Sequence, residues 1–110
     1  YEISACLVGS EMCIETGVGE DGHTSSVFPD RKDLLTAAEP YAVSVNPYNK
    51  TVRICMTGKP MIEAKHTCFL VAGENKCSIL KKILDKEQED IYPASYIWHH
   101  ARMPKLYASL

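Results

Sequence analysis

The first half of the chain contains short runs of alternating or β-branched residues, a pattern that predicts strands. These runs cover residues 5–8, 12–16, 41–45 and 51–57. In the last of them, alternation puts Val52, Ile54 and Met56 on one face. The sequence of residues 46–49, Asn-Pro-Tyr-Asn, predicts a turn between the third and fourth runs.

The second half predicts one buried strand and one amphipathic helix. Residues 67–72 form a nearly continuous apolar run, typical of a parallel strand buried on both faces. Residues 75–86 show helical spacing with one apolar stripe. We also expect a short helix from Thr24 that ends at Pro29 and another over residues 61–66. For the remainder we expect a loop at 92–95, a strand at 96–98 and a helical tail from Ala101.

The order strand, helix, strand, helix predicts an α/β fold, in which a mostly parallel, Rossmann-like sheet is joined by crossover helices. With 110 residues, the chain suits one domain spanning residues 1–110, with one core. Only about four strands are clear, which is few for an open sheet with helices on both faces. We therefore expect a three-layer architecture that is incomplete in this chain.

Composition narrows the class of protein. Hydrophobic residues make up 45% and charged residues 24%, as in ordinary globular proteins. The net charge of −2 argues against a nucleic-acid surface built on bulk positive charge, but it allows a local basic cluster that grips a phosphate. No apolar run approaches the roughly 18 residues that a membrane span needs. Because no secretion signal is visible either, we expect a cytoplasmic protein.

Two residue types that often mark special chemistry have ordinary interpretations here. The five cysteines include no CxxC pair, so we expect buried free thiols. His99 and His100 are adjacent and lack a third ligand at motif spacing, so we expect neither a metal nor another cofactor.

The most informative segment is glycine-rich. Gly17, Gly19 and Gly22 spell GxGxxG, but Glu20 and Asp21 would put two carboxylates where a dinucleotide's pyrophosphate has to sit. The alternative is a turn at a strand end that presents Asp21 and His23. A histidine there can act as a general base, and Asp21 can orient its ring or bind a substrate hydroxyl. An exposed turn with an incidental histidine also fits the residues alone.

Residues 17–29, Gly-Val-Gly-Glu-Asp-Gly-His-Thr-Ser-Ser-Val-Phe-Pro, closely resemble the signature of 6-phosphogluconolactonases. Three further segments resemble that family in the same order: Arg53-Ile54 with Thr57 and Pro60, residues 69–76 (Phe-Leu-Val-Ala-Gly-Glu-Asn-Lys) and residues 93–95 (Pro-Ala-Ser). The match covers roughly residues 17–97. It implies the sugar-phosphate isomerase/lactonase fold and hydrolysis of 6-phosphoglucono-δ-lactone to 6-phosphogluconate in the pentose phosphate pathway.

The resemblance also implies roles for individual residues. His23 would be the base, with Asp21 beside it, and Lys76 the phosphate ligand. Independently of the resemblance, we expect Gly19, Gly22 and Thr24 of the loop to contact the substrate, and the backbone of residues 19–22 has N–H groups that could donate to the oxyanion, although the sequence does not orient them. Arg53 either contacts the substrate or pairs on the solvent face, because alternation puts it opposite Val52 and Ile54.

Two other functions stay open on the same resemblance. The related glucosamine-6-phosphate deaminases and isomerases share the Asp-Gly-His core, but they carry an acidic residue just before the motif's proline. This chain has Phe28 before Pro29, which favours the lactonase. The third alternative is a non-catalytic fragment that binds sugar phosphate.

Family members are usually more than twice this length, and their N-terminal half holds a glycine- and serine-rich phosphate loop and an acidic-arginine segment. Neither is found in these residues, so the chain resembles the C-terminal half of a lactonase. Some relatives are fused to glucose-6-phosphate dehydrogenase. We therefore expect that enzyme as a fused or cooperating partner, and a sugar-phosphate lactone as the small-molecule ligand.

Overall fold

The computed structural model describes residues 13–109, so the strand predicted at residues 5–8 and the cysteine Cys6 lie outside it. The regular elements in this range are five strands and three α-helices. They are β1 (Cys13–Gly17), β2 (Tyr41–Val45), β3 (Val52–Met56), α1 (Gly58–Glu63), β4 (His66–Ala72), α2 (Cys77–Leu84), α3 (Pro93–His100) and β5 (Pro104–Ser109). Short 3-10 segments cover Pro29–Leu35, Glu74–Lys76 and Lys86–Gln88.

Strands β1, β4 and β5 form a parallel sheet with β4 in the centre. Gly17 pairs with Leu70, so β1 and β4 end at the same edge of the sheet. The chain leaves this edge through the glycine-rich segment after β1 and through Gly73 after β4. Because ligands of open α/β sheets lie beyond the carboxyl ends of the strands, this edge is where a site is expected.

Strands β2 and β3 form a separate antiparallel hairpin, with Val43 opposite Ile54 and Ser44 opposite Arg53. Ser44 is fully buried, and its hydroxyl donates to the carbonyl of Ser26 at 2.6 Å. Val52 and Ile54 share the opposite face, as the alternation requires, and both are exposed. The hairpin therefore packs through its polar and small residues, while its most apolar face points outward.

One apolar cluster joins the helices to the sheet. The side chains of Met61 and Ile97 have no exposed surface, and Phe69 of β4 is almost equally buried. The Phe69 and Trp98 rings meet edge to face with centroids 5.8 Å apart, an arrangement that aromatic pairs favour. The cluster consists of Ile14, Val18, Val27, Leu34, Leu35, Cys55, Met61, Ala64, Phe69, Val71, Ile79, Ile83, Ala94 and Ile97.

The α/β class with a mostly parallel sheet and crossover helices is confirmed. The runs at 12–16, 41–45, 51–57 and 67–72 all contain strands, displaced by a residue or so at their ends. The predicted helix at 75–86 is also present, although its first turn is the 3-10 segment Glu74–Lys76. The helix predicted at 61–66 begins three residues earlier, at Gly58, and His66 belongs to β4 rather than to that helix.

Three predicted elements are wrong. Residues 93–100 form helix α3 instead of a loop and a strand, since Pro93 suits a first helical turn and Ala94 and Ile97 face the core one turn apart. The tail forms strand β5 instead of a helix, because it pairs with β4. No helix follows Thr24: residues 24–27 make a tight turn, closed by a bridge between Thr24 and Val27, with Ser25 at φ +56°.

None of the helices within residues 13–109 has the length and apolar character that crossing a membrane requires.

Candidate active site

The glycine-rich loop after β1 is closed by its own backbone. The N–H of Gly19 donates to the carbonyl of His23 at 2.9 Å, and the N–H of Gly22 donates to the carbonyl of Gly19 at 3.0 Å. Both groups were expected to be oxyanion donors. In this structure they hold the loop together, so neither is presented to a ligand.

Each of the two glycines is required by a close neighbour. A Cβ at Gly19 would overlap the imidazole ring of His23. Gly22 adopts φ +85°, a conformation that side chains disfavour, and a Cβ there would overlap the ring of Tyr92. The glycines therefore allow the histidine ring to lie directly against the loop backbone.

Asp21 and His23 form a tightly paired dyad. Asp21 Oδ1 lies 2.5 Å from His23 Nδ1, and it also accepts the backbone N–H of His23 at 3.1 Å. The two side chains are only 20% and 30% exposed, so water screens the pair weakly. Against an ionised Asp21, the neutral imidazole carries its proton on Nδ1, which leaves the lone pair on Nε2 available as a base.

Tyr48, at the tip of the β2–β3 hairpin, engages the other oxygen of the same carboxylate. Its hydroxyl donates to Asp21 Oδ2 at 2.6 Å. Partial burial by itself would raise the pKa of Asp21, but the hydrogen bonds from Tyr48 and His23 outweigh it and hold that pKa below its usual value. The same hydrogen bond raises the pKa of Tyr48, because the phenol would lose its acceptor partner on ionising. Asp21 is therefore an anion near neutral pH, with both oxygens engaged.

An aromatic side chain backs the histidine. The ring of Phe28 is almost fully buried and lies 4.6 Å from the His23 ring, centroid to centroid, at an angle of 33°. Phe28 also meets the Tyr48 ring edge to face at 6.3 Å. One face of the imidazole thus packs against an apolar ring that offers it neither a proton nor a charge.

The start of helix α2 closes the other side of the loop. Lys76 donates from Nζ to the carbonyl of Val18 at 2.5 Å, and the amide of Asn75 donates to the Glu20 carboxylate. These contacts leave an open cleft of about 600 Å³ lined by Glu20, Asp21, His23, Tyr48, Asn75 and Lys76. The cleft therefore combines a candidate base, two carboxylates and one lysine ammonium, and Lys76 is the group in its lining that can attract an anion.

Thr24 and helix α3 anchor the loop from below. Thr24 is fully buried, its hydroxyl donates to the carbonyl of Gly17 at 2.9 Å, and the hydroxyl of Thr16 lies 2.6 Å away. The first turn of α3 contributes the N–H of Ala94, which donates to the carbonyl of Gly22 at 2.9 Å. Thr24 was expected to contact the ligand. Its hydroxyl is instead hydrogen-bonded to strand β1, beneath the loop.

Arg53 lies on the other side of His23. A second, smaller cleft of about 290 Å³ is lined by His23, Ser25, Ser26, Phe28, Ser44, Asn46 and Arg53. Arg53 shares its hairpin face with Ser44 and not with Val52 and Ile54, as the alternation predicted. The guanidinium is therefore on the side of the hairpin that adjoins the histidine.

The two histidines of helix α3 have structural partners. His99 Nδ1 lies 2.8 Å from the carbonyl of Ser95, and His100 stacks on Tyr96 with centroids 4.1 Å apart. Within residues 13–109 no three or more His, Cys, Asp or Glu side chains are gathered in a way that could hold a metal ion. Within residues 13–109, Cys13, Cys55, Cys68 and Cys77 form no disulfide with one another.

The structure thus gathers Asp21, His23 and Lys76 around one cleft and puts Arg53 in the next. Sequence reasoning missed Tyr48, and it also missed the contact between Glu20 and Asn75. The turn containing Tyr48 was recognised, but its contact with Asp21 bridges 27 positions and no local pattern encodes it. The only sequence signal for the contact between Asn75 and Glu20 was that Asn75 directly precedes Lys76, the lysine of the family motif.

Fold and site together define an α/β protein with a histidine–carboxylate pair beyond the carboxyl end of a parallel strand. The family model described as glucosamine-6-phosphate isomerases/6-phosphogluconolactonase matches residues 13–106, and the chain belongs to this family.

Individual relatives agree with that assignment. A human 6-phosphogluconolactonase is 35% identical over 85 residues, which cover 76% of this chain and 33% of the relative. A 6-phosphogluconolactonase of Aggregatibacter actinomycetemcomitans is 39% identical over 88 residues, covering 74% and 35%. The crystal structure of devB protein superposes with a TM-score of 0.81 at 29% identity, covering 97% of this chain and 48% of that one. The chain thus spans about a third of the length of these two curated relatives.

Proposed function

We propose that this chain carries the hydrolytic site of a 6-phosphogluconolactonase, which converts 6-phosphoglucono-δ-lactone to 6-phosphogluconate. The observation that carries the proposal is the 2.5 Å contact between Asp21 Oδ1 and His23 Nδ1. It fixes the imidazole in the tautomer whose Nε2 can accept a proton. The names of the human and bacterial relatives support the same reaction.

In the proposed reaction His23 Nε2 removes a proton from a water molecule while the water oxygen attacks the lactone carbonyl carbon. The carbonyl becomes a tetrahedral oxyanion. When it collapses, the bond to the ring oxygen breaks, and that oxygen takes the proton from His23 to become the hydroxyl of the open-chain acid. Asp21 stabilises the transient imidazolium, and general-base help of this kind contributes typically about 10²–10⁴-fold.

The substrate's phosphate requires a cationic partner, which we assign to Lys76. Its ammonium lines the same cleft as His23 and is partly buried between the glycine-rich loop and α2. An ammonium has three donors, and the carbonyl of Val18 accepts only one of them. A phosphate at this position would also lie near the start of α2, where backbone N–H groups favour anions.

Phe28 favours lactone hydrolysis over deamination of an amino-sugar phosphate. A deaminase of this fold needs a further carboxylate beside the histidine for ring opening and proton transfer. Here the group packed on the histidine ring is a phenyl, which cannot carry a proton. Lactone hydrolysis needs no such group, because a lactone is already an activated ester.

The proposal places the protein in the cytoplasm, in the pentose phosphate pathway. A lactone of this kind arises when an aldose phosphate is oxidised at its anomeric carbon. Glucose-6-phosphate dehydrogenase, fused to this chain or cooperating with it, is therefore the partner that the proposal implies.

The test is a pair of assays on the wild-type protein. We expect ring opening of 6-phosphoglucono-δ-lactone above the spontaneous rate, followed as acid release, and no ammonia release from glucosamine 6-phosphate. Ammonia release would instead assign the deaminase reaction. If the folded protein performs neither reaction but binds 6-phosphogluconate, it is a sugar-phosphate-binding module and the proposed hydrolysis is wrong.

A further inference from the structure

The tyrosine at the hairpin tip has an unusual combination of exposure and contact. Tyr48 is 69% exposed, yet its hydroxyl reaches the carboxylate of Asp21 at 2.6 Å. An exposed tyrosine ordinarily leaves its hydroxyl to water. Here the phenol bonds to the residue that holds the candidate base.

We infer that Tyr48 is a positioning residue for the proposed reaction: by occupying Asp21 Oδ2, it directs Oδ1 to His23 Nδ1. The inference rests on the proposed function, because it assumes that His23 is the base. A carboxylate at the end of one rotatable bond can exchange its two oxygens, and water can compete for either of them. With Tyr48 on one oxygen, a single orientation satisfies both partners.

The hairpin turn presents Tyr48 in a fixed position. Asn46 Oδ1 accepts the backbone N–H of Tyr48 at 2.8 Å, and the N–H of Asn46 donates to the carbonyl of Thr51 at 2.9 Å. The Tyr48 ring then meets Phe28, which in turn packs on His23. The hydroxyl and the ring of Tyr48 therefore constrain the same imidazole, one through Asp21 and the other through Phe28.

Other charged groups also face the pair and stay in place when Tyr48 is changed. Glu20 and Lys76 line the cleft, Arg53 lines the neighbouring cleft, and Asp30 lies near the Tyr48 hydroxyl. Replacing Tyr48 by phenylalanine removes one neutral donor and leaves these charges untouched. A change in the acid–base behaviour of the site then reports the lost hydrogen bond.

The test compares Tyr48→Phe with Tyr41→Phe, a matched control on the exposed outer face of the same hairpin. In ¹H–¹⁵N spectra, with the His23 signals assigned by their loss in His23→Ala, we expect a protected Nδ1 proton in wild type and in Tyr41→Phe. In Tyr48→Phe we expect that signal to broaden or vanish.

In turnover assays of Tyr48→Phe we expect kcat to fall about 10- to 100-fold with KM nearly unchanged, because a hydrogen bond to a charged group is lost.

The outcomes separate this inference from the proposed function. If His23→Ala keeps the wild-type kcat, the proposed function fails, and the spectra alone then decide whether Tyr48 orients the pair. If His23→Ala is inactive while Tyr48→Phe matches Tyr41→Phe in kcat, the positioning role is wrong whatever the spectrum shows. An unchanged Nδ1 signal in Tyr48→Phe likewise overturns it.

Discussion

At the scale of single residues, the site is a short loop in which almost every side chain has a defined partner. Asp21 and His23 are two positions apart, and one carboxylate oxygen accepts both the ring and the backbone N–H of the histidine. Gly19 leaves space for that ring. The motif therefore fixes the position of the histidine ring as well as supplying the ionisable groups, because Gly19 is as constrained as Asp21 and His23.

Replacing Gly19 by alanine tests this close approach. The new methyl group would overlap the His23 ring, so the imidazole has to rotate away from Asp21. We expect kcat for lactone hydrolysis to fall about 100-fold, as misplacements of about 1 Å can cause. Gly17→Ala is the matched control, since a Cβ there meets only the Leu70 carbonyl at an ordinary 3.8 Å. Equal activity of the two variants would show that the ring tolerates the methyl.

The lowered pKa of Asp21 predicts how stability depends on pH. Folding makes this carboxyl a stronger acid than its usual 3.8, because the bonds from Tyr48 and His23 outweigh the cost of burial. Its stabilising contribution is therefore complete above about pH 4 and is lost as the pH falls through the lower, folded value. Urea unfolding should show Asp21→Asn less stable than wild type near pH 7, with the difference shrinking towards about pH 3.

The control for that experiment is Asp90→Asn, which alters an exposed carboxylate for which the structure gives no side-chain hydrogen bond. Its effect should be small at both pH values. A constant stability difference between wild type and Asp21→Asn across this range would contradict the assigned role of the carboxylate.

The sequence predicts contacts between site residues that are close along the chain better than contacts between residues that are far apart along it. The proximity of Asp21 to His23 follows from two-residue spacing, and the family motifs added Lys76 from 53 positions beyond His23. Tyr48 had no such motif, and its contact depends on how the hairpin packs against the loop. Likewise, Thr24 belongs to the motif, but only the fold shows that its hydroxyl faces β1.

At the scale of elements, the loop is supported by four neighbours. Strand β1 accepts a hydrogen bond from the Thr24 hydroxyl, and the hairpin provides Tyr48. The first turn of α3 donates a hydrogen bond to the carbonyl of Gly22. The start of α2 provides Asn75 and Lys76. Strand β1 and both strands of the hairpin were correctly predicted as strands, and α2 was correctly predicted as a helix. Helix α3 was missed because its aromatic residues, Tyr96 and Trp98, favour strands locally. Burial of Ala94 and Ile97 one turn apart decided the outcome.

Lys76 provides a prediction at this scale, because its proposed role as the phosphate ligand depends on where α2 begins. We expect Lys76→Ala to raise KM for the phosphorylated lactone about tenfold or more, as loss of a charged hydrogen bond implies, and to leave kcat nearly unchanged. For glucono-δ-lactone, which has no phosphate, KM should not change.

The matched control is Lys81→Ala, which removes an exposed lysine from the middle of α2. If Lys76→Ala and Lys81→Ala raise KM equally, the rise in KM reflects the loss of one positive charge from the protein and not the loss of a phosphate ligand. If Lys76→Ala impairs both lactones alike, the lysine does not serve the phosphate.

At the scale of the whole molecule, this chain holds a paired histidine and carboxylate and a lysine at one edge of a parallel sheet. It also spans about a third of the length of the curated relatives described above. The α/β class was predictable from alternating strand and helix patterns. The pairing of β5 with β4 was not, because residues 104–109 show no distinct strand signal and their partner lies more than thirty residues away.

The most direct test of the central claim is the rate of 6-phosphoglucono-δ-lactone hydrolysis by wild type and by His23→Ala, at equal concentrations of folded protein. We predict that the variant loses about 10²-fold or more of the enzymatic rate, while its binding of 6-phosphogluconate, which we assign to Lys76, is retained. Hydrolysis by His23→Ala at the wild-type rate would contradict the claim that this histidine activates the water.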